Sequence, residues 1–178
     1  MIIRRLDDNR PNRLALQQLY ASAPQYFLAA TGKVAAPNEA ENDFADLPPG
    51  VEKTDQFIFG LYLADELIGC AGIIRGFRTL NKATLTLLLL AEKYQGRGHG
   101  TRAYAELEQI MARWPGIDTV RLGVIETNTP AFPFWRKLGF ARNGERKAKF
   151  PPYIADIIVL EKHISGEKND LQPGRPQT

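Results

Sequence analysis

The segment from Ala83 to Thr101 restricts the fold of this chain more than any other. The run Ala83-Thr84-Leu85-Thr86-Leu87-Leu88-Leu89-Leu90 is followed, four residues later, by Gln95-Gly96-Arg97-Gly98-His99-Gly100-Thr101. A stretch that is apolar on both faces in its second half reads as a central strand covered from both sides. The glycines let the backbone turn with its N–H groups inward. Beyond them Ala103, Leu107, Ile110, Met111 and Trp114 share one face of a helix, about 25 Å long if it runs from Gly98 to Trp114. A strand that passes through a glycine turn into a helix N-terminus offers free amides and a partial positive charge, so an anion belongs there. A P-loop would need Gly-Lys-Ser/Thr at this point, and a dinucleotide fingerprint would need G-x-G-x-x-G with a later acidic residue. Neither pattern is present.

The rest of the chain alternates strand and helix signals. Ile2, Ile3 and Leu6 predict a short first strand, after which Asp7 or Asp8 is placed to cap a helix bearing Leu14, Leu16, Leu19 and Tyr20. Ala21 to Gly50 is rich in Ala, Pro, Asn and Gly and reads as irregular with one short helix at most. Tyr26 and Phe27 within it are candidates for a substrate wall, or else aromatics that anchor the loop to the core. Phe57 to Leu63 and Leu67 to Ile74, separated by Ala64-Asp65-Glu66, read as a hairpin. Val120, Leu122 and Val124 alternate as a fifth strand. Asn128 and Thr129 precede a helix from Pro130 to Lys137, which Gly139 closes as a left-handed cap. Tyr153 to Leu160 reads as a final strand, and the polar segment from Ser165 to Thr178 as a disordered tail. This order predicts one layered α/β or α+β domain over residues 1–164.

Composition removes several function classes. With 178 residues, 44% hydrophobic and 24% charged, the chain has the make-up of one soluble domain, and no apolar run approaches the ~20 residues of a membrane span. Met1 to Leu6 lacks the order of a signal peptide, so a cytoplasmic protein without membrane contact is expected. Cys70 is the sole cysteine; it excludes an intrachain disulfide or a multi-cysteine metal site and reads as a packed core residue. His99 and His163 lie far apart, so no metal is expected. The net charge of +3 and pI of about 9.0 come from scattered Lys and Arg. That pattern fits a phosphate-bearing small molecule and lacks the basic-aromatic stripe of a nucleic-acid binder.

The chain resembles the GCN5-related N-acetyltransferase superfamily. Gln95, Gly98 and Gly100 match its pyrophosphate loop, Gln/Arg-x-x-Gly-x-Gly/Ala. Asn128-Thr129-Pro130-Ala131 followed by Phe134-Trp135-Arg136-Lys137-Leu138-Gly139-Phe140 is similar to its second signature, with the intervening helix and strand in family order. The resemblance covers about Leu85 to Phe140. It implies a mixed, mostly antiparallel central sheet flanked by helices on both faces, and transfer of an acetyl group from acetyl-coenzyme A to an amine by direct attack in a ternary complex. It further implies that Leu88, Leu89 and Leu90 offer backbone groups to the pantetheine arm and acetyl carbonyl. The amides of Gly96, Arg97, Gly98, His99, Gly100 and Thr101 would cradle the pyrophosphate behind Gln95. Asn128, Phe134 and Trp135 would meet the far side of the coenzyme. The side chains of Arg97, His99 and Arg102 either touch phosphates or form a solvated surface.

Two proton-transfer positions depart from the family pattern. The glutamate that some members carry five residues before the asparagine is Gly123 here, and the tyrosine that many carry seven residues after it is Trp135. An alkylammonium with pKa near 10.4 must still lose a proton before attack. Glu126 is the candidate base, or a helix cap; Tyr62, Tyr94 and Tyr153 are candidate acids. The expected acceptor is a small-molecule amine, taken by a monomer or homodimer with Ala21 to Gly50 as a lid. A protein lysine or N-terminal acetyltransferase and a non-catalytic coenzyme-A-binding module are the alternatives.

Overall fold

The hairpin expected around Ala64 is the centre from which the sheet grows. β2 (Gln56–Leu63) turns into β3 (Glu66–Arg75) through Ala64, whose φ of 49° gives the tight reversal. β1 (Ile2–Arg5) lies antiparallel on the outer side of β2, and β4 (Lys82–Leu90) antiparallel on β3. β5 (Thr119–Ile125), β6 (Ala141–Phe150) and β7 (Tyr153–His163) complete a seven-stranded sheet in the order β1-β2-β3-β4-β5-β7-β6. Every neighbouring pair is antiparallel except β4 and β5. The mixed, mostly antiparallel sheet is therefore present. The computed structural model describes residues 1–150 and 153–164, and of 146–150 and 153–155 it describes the backbone. The tail expected for Ser165 to Thr178 lies outside the described residues.

Side-chain alternation along the strands feeds two apolar layers, one on each face of the sheet. Phe57, Phe59, Ala71 and Ile73 pack with Tyr104, Leu107 and Met111 of α4 (His99–Ala112) and with Trp135 of α5 (Ala131–Lys137). Ile58, Cys70 and Leu89, one residue out of phase, pack with α1 (Arg10–Ala21), α2 (Pro24–Thr31) and α3 (Glu39–Ala45). Full burial of each large apolar side chain stabilises by roughly 1.5–3 kcal/mol, so both layers are needed to hold the sheet. Cys70 is fully buried, as the sequence predicts.

Two expectations about the first helices need correction. Asn9, not Asp7 or Asp8, caps α1: its side-chain oxygen accepts from Asn12 N at 2.9 Å, with Pro11 in the first helical turn. Asp8 is drawn away by Arg13, 2.6 Å from its Oδ1. The stretch 21–50 holds two helices in place of one at most. Pro24 starts α2 and Gly32, at φ 72°, stops it, while Ala40 and Phe44 bury one side of α3. A Pro at a helix start and a Gly at its end, which read as loop signals in composition, are boundary signals in position.

The parallel pair β4–β5 sets up the site. Their ladder runs from Lys82–Thr119 to Leu85–Leu122 and stops there, although β5 continues paired to β7 as far as Ile125. A β-bulge at Thr86 interrupts the β3–β4 register between Gly72/Leu87 and Ile73/Leu85. It shifts the alternation: Leu85 faces α4, Leu87 and Leu89 face α1–α3, and Leu88 and Leu90 face α4 again. Such a bulge bends its strand and raises the local twist, and here β4 leaves β5. The closed end is held by Lys82 Nζ, 2.7 Å from Glu161 of β7 across β5, and by Asn81 Nδ2 donating to Asp118 Oδ1 at 2.9 Å.

Candidate active site

The separation of β4 from β5 opens a cleft of about 730 Å³ that reaches both faces of the sheet. On one side it is lined by Asn128 and by Phe134 and Trp135 of α5; on the other by Tyr20, Tyr26, Phe27, Glu39 and Asp43 of α1–α3. Between them run the edges of Thr84–Leu88 and Leu122–Ile125.

The free edge of β4 can be assigned atom by atom. Ala91 N donates to Ile68 O of β3 at 2.9 Å. In an antiparallel ladder, residues two apart point their N–H and C=O to the same side. Leu89 therefore spends its backbone groups on β3, and its side chain is buried under α1–α3. Leu88 and Leu90 turn theirs toward the open edge. Of the three leucines expected to offer backbone groups, two are so placed; Leu89 is not, because the pleat directs it the other way.

Beyond Leu90 the glycine turn forms as expected. Gly96 and Gly98 take φ of 70° and 80°, and a Cβ built on either meets nothing within 4 Å. These glycines are required by backbone conformation, not by crowding. Arg102 N donates to Gly98 O at 3.1 Å. Among the described residues no acceptor takes the amides of 96–101, so a row of free N–H groups stands at the N-terminus of the fourteen-residue α4. Gln95 does not face that row, since its Nε2 donates to Leu90 O at 2.8 Å and ties the turn to the strand end. Arg97 is exposed, Arg102 pairs with Glu106 at 3.3 Å, and His99 is half-buried, edge-on to Tyr94 at 5.9 Å between ring centroids. Gly100 lets the turn meet α5 closely: a Cβ there would lie 3.4 Å from the Phe134 ring.

Trp135 is 9% exposed and makes edge contacts with Phe134, Phe140 and Tyr104 at 4.8, 5.2 and 5.8 Å between ring centroids. It is at once a wall of the cleft and a core residue. Asn128 N donates to Ile125 O at 2.8 Å and its own carbonyl receives Ala131 N at 3.1 Å, which sets the entry to α5. Gly123 lies exposed on the cleft edge.

Glu126 does not come to the cleft; it is exposed and outside the lining. Tyr62 sits under the Arg4 guanidinium at 5.0 Å and Tyr94 donates to Glu66 at 2.6 Å, both away from the lining. The side chain of Tyr153 lies outside the described residues. Tyr26 and Phe27 do line the cleft, in an edge contact of 5.2 Å.

The residues that sequence reasoning missed are Tyr20, Glu39, Asp43 and Asp46. The three carboxylates line the cleft from α3 and its end. Their spacing of i, i+4 and i+7 places them on one helical face, a signal that the apparent looseness of the segment concealed. Asp43 Oδ2 accepts from the Tyr20 hydroxyl at 2.5 Å. Burial raises the Asp43 pKa to about 6, the Tyr20 hydrogen bond opposes the rise, and Glu39 and Asp46 add to it. Burial likewise keeps Tyr20, Tyr26 and the Cys70 thiol protonated. Among the described residues no group of three His, Cys, Asp or Glu is placed to hold a metal, and no helix is long and apolar enough to cross a membrane.

Comparison with known proteins agrees with this geometry. The structure is similar to an acetyltransferase from Thermus thermophilus, with 22% identity, TM-score 0.69, and 92% of this chain and 97% of that one covered. It is also similar to spermidine N-acetyltransferase from Vibrio cholerae in complex with CoA and spermine, with 16% identity, TM-score 0.70 and coverage of 93% and 96%. An uncharacterized protein of Mycobacterium leprae (strain TN) is 31% identical over 104 residues, which are 58% of this chain and only 28% of that relative. The model of the acetyltransferase (GNAT) family matches residues 15–140, from α1 through the cleft to the end of α5. A mixed sheet split between β4 and β5, a row of free amides beyond the split strand and this match lead to one conclusion: the chain belongs to the GNAT family of acetyltransferases.

Proposed function

We propose that this chain, as a single domain over residues 1–164, transfers acetyl from acetyl-coenzyme A to the amino group of a small molecule. The observation that carries this reading is the cleft between β4 and β5, because its lining comes from both faces of the sheet. On one face, beside the cleft and joined to it where Gly100 meets the lining ring of Phe134, stand the free amides of 96–101, suited to a pyrophosphate. The other presents carboxylates and aromatic rings, suited to an ammonium ion. The two substrates then meet at the free edge of Leu88 without either blocking the other, which is the requirement for direct attack in a ternary complex.

The chemistry follows from that placement. The amine approaches as an ammonium ion and must lose one proton before its lone pair attacks the thioester carbon. The C–N bond forms as the carbonyl oxygen gains negative charge, which the Leu88 N–H, fixed in a strand and already turned to the cleft, stabilises. Collapse breaks the C–S bond, and the second proton of the nitrogen passes to the departing thiolate. Trp135 supplies no proton, since an indole N–H is too weak an acid; it supplies area and orientation beside the sulfur.

The small-molecule preference rests on α2 and α3, whose Tyr26, Phe27, Glu39 and Asp43 line one side of the cleft. A peptide requires an open groove, whereas a metabolite fits beneath a lid. The reading is tested by incubating the protein with acetyl-coenzyme A and either a library of small primary amines or a set of peptides with free amino groups, following free thiol and identifying products by mass. Acetylation of one or more small amines is expected. Release of thiol only with peptide substrates would reject the small-molecule reading, and failure to bind acetyl-coenzyme A would reject the whole.

A further inference from the structure

Asp43 is held more firmly than an exposed helix carboxylate would be. Its Oδ2 accepts from the Tyr20 hydroxyl at 2.5 Å, and its backbone carbonyl accepts from Gln56 Nε2 of β2 at 2.8 Å. Lys53 Nζ bonds both the Phe44 carbonyl and Gln56 Oε1, the latter at 2.9 Å, which closes the clamp on the end of α3. Tyr20 is itself buried, against the Phe27 ring at 5.3 Å and beside the Cys70 thiol. Cys70 is the cross-strand partner of Leu89, next to Leu88 on β4. Asp43 is thus tied through Tyr20 to the apolar layer that holds Cys70 and Leu89, and it lines the same cleft as Leu88. Its Oδ1 has no hydrogen-bond partner among the described residues.

Resting on the function proposed above, we propose that Asp43 accepts the proton of the incoming ammonium ion and that Tyr20 is its positioning residue. The free Oδ1 takes one proton from R–NH3⁺, giving R–NH2 and a neutral carboxyl group. The amine lone pair then forms the C–N bond and the C–S bond breaks. The remaining excess proton on nitrogen goes to the thiolate, and Asp43 returns its own proton to solvent. One amide, one free thiol and one released proton result, and no further reactant is needed.

The groups facing Asp43 suit this task. Tyr20 of α1 and Tyr26 of α2 remain neutral, Cys70 of β3 remains a thiol, and Glu39 and Asp46 share the helical face of Asp43. Arg78, in the turn between β3 and β4, is the one Lys or Arg side chain among the cleft-lining residues. A carboxylate with its pKa raised to about 6 is ionised at neutral pH yet basic enough to take a proton. The acidic neighbours also draw in a cation and disfavour an anionic acceptor.

The test measures kcat/KM against pH for the parent, Asp43→Asn, Asp43→Glu and Tyr20→Phe, using the most rapidly acetylated primary alkylamine of the library. Circular dichroism and calorimetric titration with acetyl-coenzyme A verify fold and coenzyme binding. Asp43→Asn is expected to lose on the order of a hundredfold at pH 7. The deficit shrinks about tenfold per pH unit as the alkylamine deprotonates in solution. Asp43→Glu restores part of the rate. Tyr20→Phe removes a bond that favours the carboxylate, so the acid limb of the profile moves upward. A loss that is equal at all pH values, or none, overturns the assignment. Should Asp43→Asn not fold, an acid limb unmoved by Tyr20→Phe overturns it instead. A parent protein that binds acetyl-coenzyme A yet acetylates no amine would overturn the proposed function itself.

Discussion

Gln95 reaches back from the glycine turn and donates its Nε2 to the carbonyl of Leu90 at 2.8 Å, so the turn and the strand it leaves are one rigid piece. A neutral hydrogen bond of this kind contributes about 1 kcal/mol net, and its geometric effect extends to the six free amides beyond it. Gln95→Leu is expected to fold normally and to weaken acetyl-coenzyme A binding by about tenfold, measured by calorimetry. An affinity equal to that of the parent would mean that the turn holds its shape without this tie.

Gly98 tests the loop from the other direction. It takes φ of 80° at the start of α4 and nothing lies within 4 Å of a Cβ built there. Gly98→Val therefore meets strain, not collision, in the folded protein, at about 1–2 kcal/mol for an L-residue in the left-handed region. The β-branched side chain also projects where the coenzyme phosphates would approach. The expected result is a modest fall in melting temperature with a much larger fall in coenzyme affinity. A variant that folds and binds as the parent does would sink the assignment of the pyrophosphate to this turn.

What could be read from the sequence divides along a physical line. The glycine turn, the hairpin and α4–β5–α5 are set by local chemistry: period-two and helical patterns, left-handed glycines and caps. All of them appear at or near the expected residues. The error over residues 21–50 came from treating Pro24 and Gly32 as signs of irregular structure, when they bound α2. Leu89 could not be separated from Leu88 and Leu90 without knowing the pleat, which the Thr86 bulge shifts. Asp43 gained its environment from Tyr20, 23 residues away in sequence, and a contact of that range leaves no trace in local spacing.

Trp135 ties the cleft to the core. Its ring makes edge contacts with Phe134, Phe140 and Tyr104, a cluster in which each pair contributes about 0.5–1.5 kcal/mol beyond area burial. Trp135→Ala is expected to cost about 3–5 kcal/mol through the cavity it leaves. Trp135→Phe keeps most of the packing and, because indole releases no proton in the accessible range, most of the turnover. A Phe variant that folds and binds acetyl-coenzyme A but loses turnover by several orders of magnitude would show that the indole N–H takes part in the chemistry.

The last prediction concerns stability and follows from the carboxyl of Asp43. Its pKa in the folded protein, about 6, lies above the ordinary value of 3.8. Between those two values the folded state binds more protons than the unfolded one, so stability falls as pH rises through the window and stays lower above it. A shift of this size corresponds to at most about 3 kcal/mol; solvent access to the half-buried group reduces the expected effect to about 1–2 kcal/mol. Asp43→Asn keeps the size of the side chain and an oxygen that can accept from Tyr20, but it never carries the charge. Urea denaturation should therefore find the variant more stable than the parent at pH 7.5 and nearly equal to it at pH 4. An active-site carboxylate that lowers stability while serving turnover is the trade-off expected where a site has been selected for chemistry. A variant less stable than the parent at pH 7.5 would mean that the ionised carboxylate is held by favourable contacts after all, and that burial does not dominate at this position.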